Sequence, residues 1–543
     1  MEQEFLMLLI LISGIILAMY LYNFYQSQTY DKALNQIAKD SWNKKREIKR
    51  NFKTINFLID NKEKVDSISW NDLEMDKFFS YFDRSFSILG RQALYKKLHE
   101  LNYNQEEKNI RDEIINNKDK ASKLGKLFLK YGRLDREDFF DLLKNGTDAS
   151  KILPLKIPIY LLSIGPLMSI PIFFINKGFA IMFLFAIVLT NIFLNMKIED
   201  LVAGKTKSFS YIRNLVSLRE QILKSDLKMG GLIENLKNYE QVSKQIKSKM
   251  GKFYVKTGSD SDIAYIILNS LFLFKARLLY KTTKLINEKI NEINELYKSL
   301  AKIDMELGIA IAYEDLKDKC IVEFTDKYEF IGEKIHNPIL YYRGNSVANS
   351  FDFKESILLT GSNASGKSTF LRTFGINLIL AMSLGFAFGE KFTLPKKNIY
   401  SAIDIKDSIE SGKSYFMAET SAIKRMIDNE DGIYILDEIF KGTNTIDRIS
   451  AALFTLKYLS KRGFVIAATH DIELTRLAEG FKNYHFEENI KDGDIFFDYK
   501  LKEDYAKTRN AIEILKINDY PEEIVKAAKE FSLNLEKEKE KII

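Results

Sequence analysis

The stretch "TGSNASGKSTF" holds Gly361, Ser362, Asn363, Ala364, Ser365, Gly366, Lys367 and Ser368 in the pattern G-x-x-x-x-G-K-[ST], with Thr369 next. Glycines at those positions let backbone amides wrap phosphates at a helix N-terminus. Lys367 is then placed to reach the β- and γ-phosphates of a nucleotide, and Ser368 to ligate Mg²⁺. Hydrolysis also needs a carboxylate on the metal side and a group that activates water. "GIYILDE" ends an apolar run in Asp437, suited to the Mg²⁺ shell, and Glu438, suited to polarising the attacking water. "FVIAATHD" is a second apolar run, ending in His470, one of 4 histidines. A lone histidine is more often structural, but the C-terminal end of a sheet strand is where such sheets bind ligands.

The tetrapeptide of the loop recurs at Ser411, Gly412, Lys413 and Ser414. Counting back, Asp407 occupies the position of the first loop glycine. Its carboxylate would face phosphate and its side chain would block the tight turn, so the second copy is not another phosphate loop. At the start of "SYFMAETSAIKRMI" its amides can instead offer an anion site to a nucleotide held elsewhere.

These motifs, in order, resemble the MutS family of ABC-type DNA mismatch-repair ATPases. "TGSNASGKST" is similar to its phosphate loop, "ESGKSYFMAE" to its signature segment, "ILDEIFKGTNT" to its Walker B region and "AATHDIEL" to its histidine switch. "KIHNPIL" and "RNAIEILKINDYPEEIVKAAKEF" look like the family's lead-in and closing segment, and "SFSILGRQALYKKLHEL" and "LYKSLAKIDMELGIA" like the bounds of its helical core. The likeness runs from about Trp70 to Phe531 and is strong from Tyr328 onward. It implies that Asn363, Lys367 and Ser368 hold ATP and Mg²⁺, that Asp437 lies on the metal side, that Glu438 activates water and that His470 senses the γ-phosphate. It also implies a homodimer with composite ATP sites, in which Ser414 contacts the partner's nucleotide, and double-stranded DNA as a ligand. Three departures stand out: Lys413 where the family has arginine, Ser346 where it has an aromatic residue for adenine, and no room for its mismatch-reading domain.

The elements that must position these residues follow from pattern. From Ile357, apolar strands alternate with glycine turns and helices, as in a parallel α/β sheet. Upstream, proline and glycine are scarce and the chain reads as long helices; Ile286, Ile290, Ile293, Tyr297 and Leu300 predict one helix with a narrow apolar seam. The charge-rich faces of these helices are most simply solvated surface. The fold class expected is therefore an α/β P-loop ATPase domain C-terminal to an all-α core and lever region, with three transmembrane helices.

Phe5 to Tyr22 is uncharged and close to the ~20 residues that cross a bilayer, and Glu2 and Glu4 before it argue for an anchor over a cleaved signal. Ile157 to Met196, interrupted at Asn176, Lys177 and Gly178, suits two helices; Pro158, Pro166 and Pro171 predict that its first arm is kinked or re-entrant. Ile263 to Phe274 is too short to span and reads as a core helix. Lys32, Lys39, Lys44, Lys45, Arg46, Lys49 and Arg50 follow the first stretch whereas the hairpin tip holds only Lys177, so a multi-pass protein of the cell membrane is expected, with the N-terminus outside and the ATPase domain cytoplasmic. The expected divisions are 1–25 (anchor), 26–150 (first part of the helical core), 151–198 (transmembrane hairpin), 199–327 (second part of the core and lever) and 328–543 (ATPase with closing helices).

Composition narrows the alternatives. The 543 residues demand several cores. The net charge of +7 arises from 81 basic and 74 acidic residues, so no general affinity for polyanions follows. A single cysteine, Cys320, excludes an internal disulfide and a Cys-rich metal cluster and reads as a buried, inert thiol. An exporter would carry an LSGGQ-type signature and more spans. The second functional reading is a membrane scaffold or mechanoenzyme that acts on a protein rather than on DNA.

Overall fold

The structure is a computed structural model that describes residues 21–22, 24–43, 52–59, 64–132, 137–147, 149–201, 206–250, 269–362, 365–403, 415–491, 494–504 and 520–542. The anchor stretch from Phe5, apart from Leu21 and Tyr22, and the residues Asn363, Ala364, Asp407 and Ser411 to Ser414 lie outside them. The chain forms two compact units. One comprises Met1–Leu58, Asp83–Lys96 and Glu106–Asp315; the other comprises Ile59–Phe82, Lys97–Gln105 and Leu316–Ile543.

Among the described residues, the second unit recruits a short upstream helix, α1 (Ser67–Asp72), capped by Asp66, whose carboxylate accepts from Ser69 N. The helix α2 (Ile88–Glu100) begins in the first unit. Two long helices follow, α3 (Lys156–Ile175) and α4 (Lys177–Leu201), separated at Asn176. Asn176 Oδ1 accepts from Phe179 N at 3.1 Å, which caps α4 and fixes the turn. The helix α3 runs on through both Pro166 and Pro171. The segments Leu153–Ile175 and Lys177–Leu201 are long and apolar enough to cross a membrane, and little of either is buried. A Cβ on Gly165 would stand 2.5 Å from Ile187 Cδ1, so this glycine sets the close approach of the two helices.

The helix α5 (Phe274–Asp315) is 42 residues long. Ile286, Ile293, Tyr297 and Leu300 are buried as the spacing predicts, but Ile290 is only half-buried. Ile290 directly follows Lys289, whose φ/ψ of −121°/16° is non-helical and locally distorts the helix. After Leu300 the narrow seam disappears: Ala301, Ile303, Met305, Leu307 and every residue from Ile309 to Ala312 are buried, and Lys302 alone is exposed between Ala301 and Ala312. Asp304, also fully buried, accepts from Phe86 N (2.9 Å), Ser87 N (2.8 Å), Gly90 N (3.2 Å) and Ser87 Oγ (2.6 Å). It thereby caps the free amides at the start of α2.

In the second unit a six-stranded sheet has the order β6-β5-β1-β4-β3-β2, from β1 (Ile357–Thr360), β2 (Asn398–Ala402), β3 (Gly432–Asp437), β4 (Phe464–Ala468), β5 (Lys482–His485) and β6 (Lys502–Glu503). All pairs are parallel except β5 with β6. Helices α6 (Lys367–Leu384), α7 (Tyr415–Ile427), α8 (Thr445–Ser460) and α9 (Ile472–Leu477) connect the strands, and α10 (Glu522–Ile542) follows. The strands β1, β3 and β4 are buried throughout, as parallel strands covered on both faces must be. One face packs Leu358, Leu436 and Val465 with Ala422, Met426, Leu456 and Leu459. Elsewhere Phe330, Phe353 and Phe374 cluster around Phe464, with Phe330 4.4 Å from it. Cys320 is buried, and burial pushes its thiol up to about 11, in keeping with an inert group.

Upstream residues complete this unit. Asp72 Oδ2 accepts from Ser401 Oγ (2.8 Å) and Ile403 N (2.9 Å), and Ser401 N donates to Ser69 Oγ (3.0 Å). Arg372 Nε of α6 donates to Asp72 O at 2.9 Å. The short helix α1 thus fastens the far end of β2 and the flank of α6.

Candidate functional site

Register brings the chemistry to one edge. Leu359 pairs with Ala468, and Ala468 with Asp437, so β1, β4 and β3 end level with one another. The residues that follow each strand, Gly361, His470 and Glu438, therefore emerge together, at the place where ligands bind in sheets of this kind.

The turn after β1 demands its glycine. Gly361 has φ 139°, and a Cβ there would stand 2.6 Å from Phe486 O and 2.7 Å from Ser365 Oγ. Gly366, at φ 107°, precedes α6, and Lys367 is that helix's first residue. Lys367 is 2% exposed; its Nζ donates to Gly361 O (2.7 Å) and Ser362 O (2.9 Å) and lies 3.3 Å from His470 Nε2. Burial lowers its pKa, against the pull of Glu438 and Asp437. Ser365 Oγ donates to Ser362 O at 2.7 Å and closes the loop on itself.

Ser368 Oγ donates to Asp437 Oδ2. Asp437 Oδ1 is buried and has no hydrogen-bond partner, and burial raises the carboxyl's pKa. A serine hydroxyl beside a carboxylate with a free buried oxygen fits Mg²⁺, which takes one or two protein oxygens and completes its shell with phosphates and water. Among the described residues no cluster of three or more His, Cys, Asp or Glu could hold a metal ion.

Glu438 sits at φ 47°, a strained conformation for a residue with a side chain, fixed by its own N donating to Ala468 O at 2.9 Å. Its Oε1 lies 2.5 Å from His470 Nε2, and its Oε2 lies 2.9 Å from Lys441 Nζ. Burial pushes this carboxyl up, but His470 and Lys441 outweigh it and hold the pKa down to about 2. The structure thus joins Lys367, Ser368, Asp437, Glu438 and His470 in one constellation. Gly361, Ser362, Ser365 and Gly366 build its loop, with exposed Thr369 on the first turn of α6. Asn363, Ala364 and Ser414 lie outside the described residues.

Four further groups belong to the site. Lys441 pairs with Glu438, and Glu419, 1% exposed on α7, accepts from Lys441 N (3.1 Å) and Gly442 N (3.2 Å) to shape the loop between β3 and α8. Arg448 makes a bidentate pair with Asp471, beside His470, at 2.9 and 2.8 Å. Tyr499 lies over Gly366, 3.2 Å from where a Cβ would be. With Leu340, Val347, Asn349 and Phe486 it lines a cavity of about 340 Å³ that opens onto Lys367 and Ser368. The sequence signal for Glu419 was an acid inside an apolar helix; Tyr499 had none, since only the fold brings it to the loop. Ser346, in contrast, is turned to structure: its Oγ accepts from Asn337 N at 3.1 Å.

A parallel sheet with a glycine turn, a Ser–Asp pair and a Glu–His pair at its carboxyl edge defines a doubly wound α/β domain with one polar ligand site. Comparison with known proteins places it further. Residues 357–536 match MutS domain V. The "DNA mismatch repair protein MutS" of Streptococcus pyogenes serotype M18 (strain MGAS8232) is 32% identical over 265 residues, and that of serotype M49 (strain NZ131) equally so. Each match covers 46% of this chain and 31% of the relative, so the chain spans about a third of the length of the relatives it matches. Through this C-terminal region the chain belongs to the MutS family.

Proposed function

We propose that the chain is a membrane-anchored ATPase of MutS type that works as a homodimer and couples ATP binding and hydrolysis to double-stranded DNA. The observation that carries this reading is the single constellation of Lys367, Ser368, Asp437, Glu438 and His470 at the end of β1, β3 and β4. The loop Gly361 to Ser368 is a P-loop: its amides and Lys367 Nζ hold the β- and γ-phosphates. Ser368 and Asp437 would hold Mg²⁺, which neutralises charge on the phosphates when bound. The cavity beside Tyr499 takes the base, with the tyrosine ring replacing the stacking surface that Ser346 does not supply.

Hydrolysis transfers the γ-phosphoryl group to water: the bond to the β-bridging oxygen breaks, an O–P bond to water forms, and the products are ADP and phosphate. Glu438 takes the proton of the attacking water. Held at about 2 by His470 and Lys441, it is a weak base. When those two cations or donors turn to phosphate oxygens, its basicity rises, so that water activation and γ-phosphate contact are linked. Ser414 completes the partner's site in trans. Mixing a Lys367→Ala chain with a Ser414→Ala chain leaves one intact composite site per heterodimer, and activity should return on mixing; no recovery would remove the trans assignment.

DNA is tested by turnover with and without duplex at ~50 mM salt, where phosphate contacts are strong. Stimulation is expected, and neither binding nor stimulation would end the DNA part. The second reading, a membrane machine gripping a protein, is favoured by α3 and α4, which expose Ile157, Leu161, Phe174, Ile181 and Phe185. With Phe5 to Tyr22 these make three spans, N-terminus outside and ATPase domain cytoplasmic. Deleting Ile157 to Met196 separates the readings: a DNA clamp keeps DNA-stimulated turnover, whereas a membrane machine retains only a basal rate.

A further inference from the structure

Two asparagines interrupt the apolar surface of α4. Asn191 and Asn195 are 0% and 6% exposed, on a helix that leaves Phe185, Leu189, Phe193 and Met196 more than half open. Asn191 Nδ2 donates to Leu271 O at 2.8 Å and to Leu162 O at 3.5 Å. Leu162 O is the acceptor that Pro166, having no N–H, cannot satisfy four residues later. Asn195 Nδ2 donates to Asn269 O at 3.3 Å. The receiving segment is one helical turn, residues 269–272, broken at Leu273, which is fully buried at φ 51°. Lys275 Nζ then pairs with Glu199 Oε1 at 2.7 Å, and the Arg277 guanidinium lies 5.3 Å from the ring of Tyr160.

These contacts set depths. If α4 crosses a bilayer with Glu199 at the interface, Asn191 lies eight residues, ~12 Å, inside the apolar layer. Leu271, bonded to it, lies at that depth, and the break at Leu273 turns the chain back so that Lys275, the second residue of α5, reaches Glu199 at the interface through its side chain. Broken backbone at that depth is tolerated only where other groups satisfy it, and the two amides do so.

We propose that Asn269 to Phe274 is a further element of the membrane part beside α3 and α4, a re-entrant turn in contact with lipid acyl chains, hung on Asn191 and Asn195. The proposal rests on the reading of α3 and α4 as membrane-spanning. It replaces the core helix that the short apolar stretch suggested, and it roots α5 directly in the bilayer. The partner is the hydrocarbon layer itself.

The test uses the full chain in phosphatidylcholine vesicles, with Cys320→Ser and one spin label at Phe272→Cys, Phe185→Cys or Lys281→Cys. Oxygen, which concentrates in lipid, and a water-soluble nickel chelate report each label's surroundings. Phe185 is expected to favour oxygen and exposed Lys281 to favour nickel. Phe272 should show an oxygen-to-nickel ratio severalfold above that of Lys281. Asn191→Leu, which removes both donations, should lower that ratio toward the Lys281 value. A nickel-accessible Phe272, or one closed to both reagents, overturns the re-entrant turn while a lipid-like Phe185 preserves the membrane reading. A nickel-accessible Phe185 overturns both.

Discussion

One set of polar side chains in the helical unit and another at the sheet edge of the second unit are put to different uses. In the helical unit, buried Asp304 and half-buried Asn287 and Asn294 complete the backbone: Asp304 takes three amides at the start of α2, and Asn287 Oδ1 accepts from Thr147 N at 2.8 Å while its Nδ2 donates back to Thr147 O at 3.0 Å. Asn294 Nδ2 likewise donates to Leu143 O at 2.8 Å. At the sheet edge, side chains bind one another: Ser368 to Asp437, and His470 to both Lys367 and Glu438, which also holds Lys441. A side chain bonded to backbone has one arrangement, made or lost. A network of side chains can exchange its partners for a phosphate oxygen, a metal or a water. The contrast marks where chemistry is possible, independently of any motif.

The largest effect that sharpens it is Glu438→Gln. Loss of the base should cut hydrolysis ~10²- to 10⁴-fold while leaving nucleotide binding intact, read as phosphate release against retention of a fluorescent ATP analogue. Normal turnover would remove Glu438 from its role. Next comes Asp304→Ala, which strands three buried amides at ~1 kcal/mol or more each, so roughly 3 kcal/mol of stability should go. Urea unfolding of the detergent-solubilised chain measures it, with ATP affinity expected to hold. A change in affinity without a change in stability would erase the contrast.

Lys441→Met probes the same network more gently. Lys441 helps to depress Glu438, so its removal raises that pKa from about 2 toward the ordinary 4.5. The acid limb of the rate should move to higher pH. For stability the sign is that of a depressed carboxyl: the contribution is present above 4.5 and is lost as pH falls toward about 2. Thermal unfolding of the wild type should therefore lose more between those values than the variant does.

Much of the site was legible because its parts are contiguous words: the glycine loop, two acids ending one apolar run, a histidine ending another. Parallel pairing then only had to align the run ends. What the sequence hid depends on distant contacts. Nothing local says that Ser69 and Asp72 will fasten Ser401, more than 300 residues on, or that Tyr499 will cover Gly366. The seam of α5 was readable at Ile286, Ile293, Tyr297 and Leu300 and failed only at Ile290, which follows the non-helical backbone of Lys289 that periodicity does not foresee.

The smallest effect asks how far the exchangeable network extends. Arg448 and Asp471 form a bidentate pair with side chains 26% and 16% exposed, and neither residue is bonded to Lys367, Ser368 or Asp437 in this structure. Asp471 follows His470 directly, while Arg448 lies in the first turn of α8, four residues beyond Asn444, the cap that ends the loop from Glu438. The pair therefore ties the histidine's loop to the glutamate's. If it acts only as an ion pair near the surface, Arg448→Gln and Asp471→Asn should each cost about 0.2 to 1 kcal/mol of stability and leave the rate unchanged. If it positions His470 against Glu438, each should slow hydrolysis a few-fold at unaltered KM for ATP. The double variant should then be no slower than either single one, a coupling of the order of 1 kcal/mol. Additive rates would confine the exchangeable network to the residues that meet the phosphates, whereas coupled rates would extend it to the start of α8.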